Sequence, residues 1–376
     1  MTITIAIPKE TKPGELRVAI TPALVSRLTK LEATVKVQHD AGIGIHAQDV
    51  LYKNTTIVAN WRELCADSNI ILKVQPPTEE EVAQMREHSI LISFLYPHLN
   101  HCTVKKLLDK KITSFAIELV PRISRAQDMD ALSSQATISG YKAVLLAADN
   151  SKFFFPMLTT AAGSVRPAKV FIIGVGVAGL QAIATARRLG AQVSAYDVRP
   201  DTKEQTESLG AKFFDTGVQA IGDGGYAREL TAEEKTKQAE ALKKHIASCD
   251  VVITTAGIPG KPAPKILTKD MVEAMKPGAV VVDILAEMGG NCELTKPGET
   301  INHNDVTIVG PVNIPSSMAI HASEMYARNL INLLGLMIKD KTINLDWTDE
   351  IIAGSVVTHE GVIKNEQVQK LLGGKI

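Results

Sequence analysis

The chain has no excess of charge of either sign. Among its 376 residues, 41 Lys plus Arg balance 41 Asp plus Glu, which excludes a global field favouring nucleic acid or an anionic membrane. It is poor in cysteine. Cys65, Cys102, Cys249 and Cys292 are scattered with no C-x-x-C pair, so neither a disulfide framework nor a cysteine zinc site is written in it. With no segment that looks like a secretion signal, this usage gives the expectation of a reducing compartment and of cysteines that fill the core. A long hydrophobic run is missing too. The most apolar uncharged stretch, residues 170–186, falls just short of a membrane span and contains three glycines, Gln181 and Thr185. His98 and His101 form H-x-x-H without a third ligand nearby, in what reads as a strand-end loop, so no metal site is expected.

What is present is a dinucleotide-binding fingerprint. An apolar run, residues 170–173, leads into Gly174-x-Gly176-x-x-Gly179 and a helical pattern, and Asp197 closes a second β-like run about 20 residues further on. Gly174 permits the tight strand-to-helix turn, Gly176 lets backbone N–H groups approach a pyrophosphate, and Gly179 lets helix and strand pack closely. Asp197 is suited to accept hydrogen bonds from a ribose 2′- and 3′-hydroxyl and to repel a 2′-phosphate. A bare triple-glycine pattern would fit an ordinary turn; with its flanking strand, helix and acid it reads as a site for NAD(H) rather than NADP(H).

At roughly 150 residues per domain, the length suggests two domains, each with its own core. In the first part, short β-like runs (residues 3–7, 34–37, 70–74, 90–95 and 112–117) alternate with helical patterns starting near Pro22, Trp61, Glu79 and Cys102. Such alternation specifies a parallel sheet with helices on both faces. Residues 131–148 read as one long helix bridging to the second domain. There the β-like runs are the fingerprint strand and residues 192–196, 212–214, 251–254, 280–283 and 306–309. A second long helical pattern, from about residue 315 to 338, returns the chain to the first domain. The expected architecture is α/β: two doubly wound Rossmann-like domains joined by two long helices, with a cleft between them. Residues 1–132 with 315–376 make the first, discontinuous domain, and residues 133–314, including the linking helix, the NAD(H)-binding one. Because ligands of open α/β sheets bind at the carboxyl ends of the strands, both domains can line the cleft.

Two segments stand out from this alternation. Between Phe214 and the helical run near Thr231 lies a long glycine-rich insertion with Tyr226 as its only aromatic. Loops of this length are either functional or disordered, so Tyr226 is the tip of a lid over nucleotide or part of a solvated surface loop. Just before the bridging helix, Arg122, Gln127, Asp130 and Ser133 are dense in donors and acceptors, the last three at i, i+3 and i+6, on one side of a helical turn. An Arg and an amide can hold a nicotinamide carboxamide, with Asp130 and Ser133 fixing the Arg or a ribose hydroxyl. Composition alone equally admits a capped, solvated helix start.

Five motifs narrow the choice: Pro8-Lys-Glu, Arg17-Val-Ala-Ile-Thr-Pro, Pro121-Arg-Ile-Ser-Arg-Ala-Gln, Gly174-Val-Gly-Val-Ala-Gly-Leu-Gln-Ala-Ile-Ala-Thr-Ala and Ile258-Pro-Gly-Lys-Pro-Ala-Pro. Together, and over nearly the whole chain, they closely resemble the soluble NAD(H)-binding component, the first domain of the alpha subunit, of proton-translocating NAD(P) transhydrogenases. The resemblance implies that Arg122, Gln127, Asp130 and Ser133 serve the nicotinamide end of the cofactor. It assigns Gly174, Gly176, Val177, Ala178 and Gly179 to the pyrophosphate region, and Asp197, Val198 and Arg199 to the adenosine side. The glycine-rich insertion is similar to that family's mobile loop, which puts Gly225 and Tyr226 by the nucleotide; Gln238 and Gly257 are likewise implied as cofactor neighbours. At Gly257 the family leads one to expect a bulkier aliphatic residue.

The same resemblance implies direct hydride transfer between NADH and an NADP(H) held by a separate beta subunit, coupled to proton movement through membrane-spanning subunits. It also implies a homodimer, no nucleic-acid partner, and a cytoplasmic location at the inner face of the bacterial membrane. Such a reaction releases no substrate proton, so it calls for alignment and exclusion of water rather than a general base. A rival likeness is to alanine dehydrogenase, which needs a cation to polarise a ketoacid carbonyl, an Arg for the carboxylate and an acid/base histidine; Lys73, Arg17 and His98 stand at similar-looking places. Against it, Pro97 precedes the histidine, Glu287 stands where that enzyme leads one to expect aspartate, and the block from Arg122 to Ser133 fits transhydrogenase better. A third reading is a non-catalytic NAD-binding module.

Overall fold

A computed structural model of the chain describes residues 2–220, 228–258 and 260–372. The chain divides into two compact units, one formed by Met1–Gln135 with Pro315–Ile376 and the other by Ala136–Ile314.

The first unit is built on an eight-stranded sheet. Its spatial order is Val362–Ile363, Val356–His359, Thr113–Ala116, Ile90–Ser93, Ile70–Leu72, Thr4–Ile7, Thr34–Gln38 and Thr56–Val58. The last six strands of that series are parallel, and the two C-terminal strands pair antiparallel at one edge. Taken in chain order, the parallel strands lie 3-2-1-4-5-6, which is the doubly wound arrangement. Ile70–Leu72 and Ile90–Ser93 are buried at every residue because helices cover both faces, and a strand with no solvent face needs no polar alternation.

The second unit repeats the plan with seven strands, in the order Lys212–Phe213, Gln192–Tyr196, Lys169–Ile173, Val251–Thr254, Val280–Asp283, Val306–Val309 and Thr300–His303. All are parallel except Thr300–His303. The order reverses between Lys169–Ile173 and Val251–Thr254, so the chain leaves these neighbours in opposite directions and opens a crevice at their carboxyl ends. The fingerprint turn starts there.

The long helix Ala131–Asn150 runs on from the first unit into the second. Within the second unit, a Cβ on Gly140 would lie 2.0 Å from the Ala178 carbonyl oxygen, so the helix rests directly on the start of the fingerprint helix. The other long helical pattern resolves into a 3-10 turn, Ile314–Met318, and the helix Ala319–Met337. No helix among the described residues is long and apolar enough to cross a membrane.

Candidate nucleotide site

The fingerprint turn is held by hydrogen bonds from the carboxyl ends of both neighbouring strands. Gly174 has φ +94°, a conformation closed to most side chains, and a Cβ there would also lie 2.7 Å from the Ala256 nitrogen. Its N–H donates to the Tyr196 carbonyl at 2.8 Å, and its carbonyl accepts from Thr255 Oγ1 at 2.8 Å. At Gly179 a Cβ would lie 2.0 Å from the Gly174 carbonyl oxygen; helix and turn touch through bare backbone.

Gly176 differs. A Cβ there would meet nothing within 4 Å among the described residues, whose packing does not demand glycine. It precedes the helix Val177–Arg188 as an N-cap with extended backbone and no capping side chain. The first-turn N–H groups at the positive end of the dipole thus begin at a residue that brings no side chain beside them, which suits a pyrophosphate. Val177 is exposed and Ala178 buried at the head of that helix. Arg187 and Arg188 occupy its last turn, where cations suit the dipole.

Asp197, just past Gln192–Tyr196, has all its acceptor positions engaged. Oδ2 accepts from the Val175 N–H at 2.7 Å and from Arg199 Nη2 at 2.8 Å; Oδ1 accepts from the Arg199 N–H and Nε, both at 2.9 Å. Val198, between them, accepts at its carbonyl from the Ala220 N–H at 2.8 Å, tying the root of the glycine-rich insertion to this segment. On the other side of the insertion, Arg228 forks onto Glu234 and donates to the Gln219 carbonyl. Gly225 and Tyr226 lie outside the described residues. Gln238 is buried, and its amide donates to the Tyr196 hydroxyl at 2.7 Å, fixing the helix Ala232–Ile246 beside the strand that delivers Asp197.

Beyond Val251–Thr254 the chain is held by residues the sequence does not single out. Asn291, fully buried, accepts from the Ala256 N–H and donates to the Ala256 and Pro264 carbonyls. Asp283, also fully buried, accepts from the Leu285 and Cys292 N–H groups and Thr295 Oγ1. Only the position of Asp283 at a strand's carboxyl end hints at such a role. Gly257 faces Leu285: an added Cβ would lie 2.5 Å from Leu285 Cδ1.

The block from Arg122 to Ser133 belongs to the first unit. Its expected alignment on one helical face is not found. Ser124–Met129 is a 3-10 turn, the backbone breaks at Asp130, and the helix starts at Ala131. Asp130 caps it, accepting from the Ser133 N–H at 2.8 Å and from Ser133 Oγ at 2.6 Å. The capped helix start that composition equally admits is therefore present, while Arg122 and Gln127 are not buried. Asn329 donates to the Asp128 carbonyl and accepts from Ser134 Oγ, and Arg125 forks onto Asp349, so the block is pinned at two points and the helix that follows it at a third.

The first unit also carries a buried charge cluster at its own strand-order reversal. Lys73, 1% exposed, lies 3.5 Å from Glu10 and 3.3 Å from Glu81. Arg17 gives Nε and Nη2 to Glu15 at 2.8 and 2.6 Å and Nη1 to Gln135 at 3.0 Å. Burial works to raise the Glu15 carboxyl, but Arg17 and Gln75 outweigh it and hold it at about 2, whereas burial keeps Glu10 above the usual carboxylate range. His98 is half-buried, and burial followed by the charge of His101 lowers its pKa.

Comparison with known proteins places these features in a family. The model for the alanine dehydrogenase/PNT C-terminal domain matches residues 143–366, and that for the N-terminal domain residues 6–139. The first part of NAD(P) transhydrogenase subunit alpha of Rhodospirillum rubrum is 46% identical over 372 residues, covering 96% of this chain and 97% of its own. The crystal structure of transhydrogenase from Sinorhizobium meliloti superimposes with a TM-score of 0.86 at 40% identity, over 97% of this chain and 99% of that one. Alanine dehydrogenase of Mycobacterium tuberculosis is more distant, 29% identical over 392 residues, covering 98% of this chain and 96% of its own.

Proposed function

The chain belongs to the alanine dehydrogenase/PNT family, among the NAD(P) transhydrogenase alpha subunits, and on that premise we propose that it is the NAD(H)-binding component of a proton-translocating transhydrogenase. The observation that carries this reading is the pairing of an open, uncapped glycine turn at Gly176 with a closed cation cluster at Lys73 and Arg17. The pyrophosphate of a nucleotide has a prepared seat. A ketoacid has none, since Lys73 would have to leave two buried carboxylates, and Arg17 both Glu15 and Gln135, before either could hold it.

Residues 174–179 hold the pyrophosphate, Asp197 and the backbone around Val198 hold the adenosine ribose, and Asn291 and Asp283 keep the loops behind them in place. Arg122 and Gln127 position the nicotinamide carboxamide, with Asp130 and Ser133 fixing the helix start beside them. When bound, the dihydronicotinamide supplies a hydride, which passes to NADP+ on a partner subunit. Since no substrate proton is released, the protein's task is alignment and exclusion of water. Turnover therefore requires the NADP(H)-binding beta subunit and is coupled to proton movement by membrane-spanning subunits, with this chain a homodimer at the cytoplasmic face of the bacterial membrane.

The test of this reading on the chain alone has two parts. Calorimetric titration is expected to show NADH binding in preference to NADPH, and incubation with NADH, pyruvate and ammonia is expected to show no oxidation. Steady NADH oxidation in the second mixture favours the alanine dehydrogenase reading instead.

A further inference from the structure

An ionised carboxylate offers about four lone-pair directions. Asp197 has four protein donors: the Val175 N–H, the Arg199 N–H, and Nε and Nη2 of the Arg199 guanidinium. An adenosine ribose that donates its 2′- and 3′-hydroxyls to Asp197 needs two of those directions back. Two of the four donors are fixed. The Val175 N–H belongs to the turn held by Gly174 on Tyr196, and the Arg199 N–H is main chain. The guanidinium is the group able to leave: its side chain keeps 21% of its surface exposed, against 8% for Asp197. It also donates from Nη2 to the Val175 carbonyl, at a longer 3.2 Å.

We propose that Arg199 is an internal competitor for Asp197, which the ribose diol must displace, and that this exchange sets the selectivity between a 2′-hydroxyl and a 2′-phosphate. The inference rests on the reading of residues 174–199 as the NAD(H) site. Binding swaps two charge-assisted N–H bonds for two O–H bonds to the same oxygens, so the ion pair weakens the affinity of the free protein for the unphosphorylated nucleotide. The displaced cation stays tethered two residues from Asp197. A 2′-phosphate is therefore repelled by Asp197 and attracted by Arg199, and discrimination is smaller than the carboxylate alone would give.

The experiment is calorimetric titration of the full chain with ADP-ribose and with 2′-phospho-ADP-ribose, probes that carry the ribose difference and lack nicotinamide. Arg199→Met is expected to bind ADP-ribose roughly three- to tenfold more tightly than the parent, as befits removal of one partly exposed ion pair. Its preference over the 2′-phosphorylated probe is expected to widen. Arg199→Lys, which keeps the charge but loses the fork, is expected to fall between, and it carries the test if the Met variant does not fold. Unchanged or weaker ADP-ribose binding in these variants overturns the competition while leaving the NAD(H) reading intact. A parent chain that binds neither NADH nor ADP-ribose overturns both.

Discussion

Gly257 and Leu285 share the room that one side chain needs: a Cβ built on Gly257 would lie 2.5 Å from Leu285 Cδ1. Where the family leads one to expect an aliphatic residue on the loop after Val251–Thr254, this chain has glycine, and an aliphatic group reaches the place from the next loop. Gly257→Ala is cheap, because Leu285 can turn its far end away. Gly257→Leu puts two branched side chains in one space and is expected to cost roughly 1–2 kcal/mol of stability and several-fold in NADH affinity. Leu285→Ala in the same chain is expected to restore both. Thermal melts and NADH titration of the two single variants and the double variant check this, and a double variant worse than the sum of the singles contradicts the exchange.

Gly140→Ala tests the contact between the long helix and the fingerprint. Helix propensity alone favours Ala by about 1 kcal/mol. The added Cβ would lie 2.0 Å from the Ala178 carbonyl, a backbone atom that no rotamer change can move. The expected outcome is destabilisation by roughly 1–3 kcal/mol with weakened NADH binding, because the displaced turn is the proposed pyrophosphate seat. A variant more stable than the parent shows that the contact does not hold the turn in place.

Asp250, fully buried, is held by a forked Arg166, the Lys169 N–H and Lys276. Burial pushes its pKa up, and these partners outweigh it and hold it at about 2. A depressed carboxyl adds stability that is present above its unfolded pKa of about 3.9 and is lost as pH falls through the folded value. Chemical denaturation along a pH series is therefore expected to show Asp250→Asn weaker by roughly 1–3 kcal/mol at neutral pH, since Arg166 is half exposed and solvent screens part of the pair. The gap is expected to narrow between about pH 4 and 2. A constant gap across that window means that the loss is one of packing.

Lys73→Met leaves Glu10 and Glu81 buried without their shared cation. The expected loss of stability is roughly 3–5 kcal/mol, with NADH affinity per folded molecule unchanged. NADH affinity falling more than tenfold in the folded fraction would restore a direct role for Lys73.

The parts legible in the sequence are those whose physics is local. A glycine turn between an apolar strand and a helix, and unbroken clusters of β-branched apolar residues such as 251–253 and 280–282, read correctly because each carries its own pattern. Thr56–Val58, Thr300–His303, the hairpin of Leu158–Thr160 with Gly163–Val165, and the C-terminal Val356–His359 and Val362–Ile363 are not legible in that way. They are two to four residues long and mostly lie at edges or stand outside the main sheets, too short to show a period. The break at Asp130 is equally hidden, because three polar residues at helical spacing look alike whether the helix starts before or after them. A signal for the Arg199 pairing is present: in extended chain, side chains at i and i+2 share a face, so Asp197-Val-Arg199 can close on itself. Asn291 gives no signal, since its partners Ala256 and Pro264 lie 35 and 27 residues away.

Whether this chain holds one half of a split hydride-transfer site is decided by a single-turnover measurement in which the chain, loaded with NADH, is mixed with an NADP(H)-binding transhydrogenase component loaded with NADP+. The expected result is a rapid hydride transfer that needs both proteins and is slowed far more than NADH binding is weakened by Gln127→Asn, because that change misplaces the nicotinamide without emptying the site. No transfer in the presence of a competent partner, together with NADH oxidation by pyruvate and ammonia, refutes it.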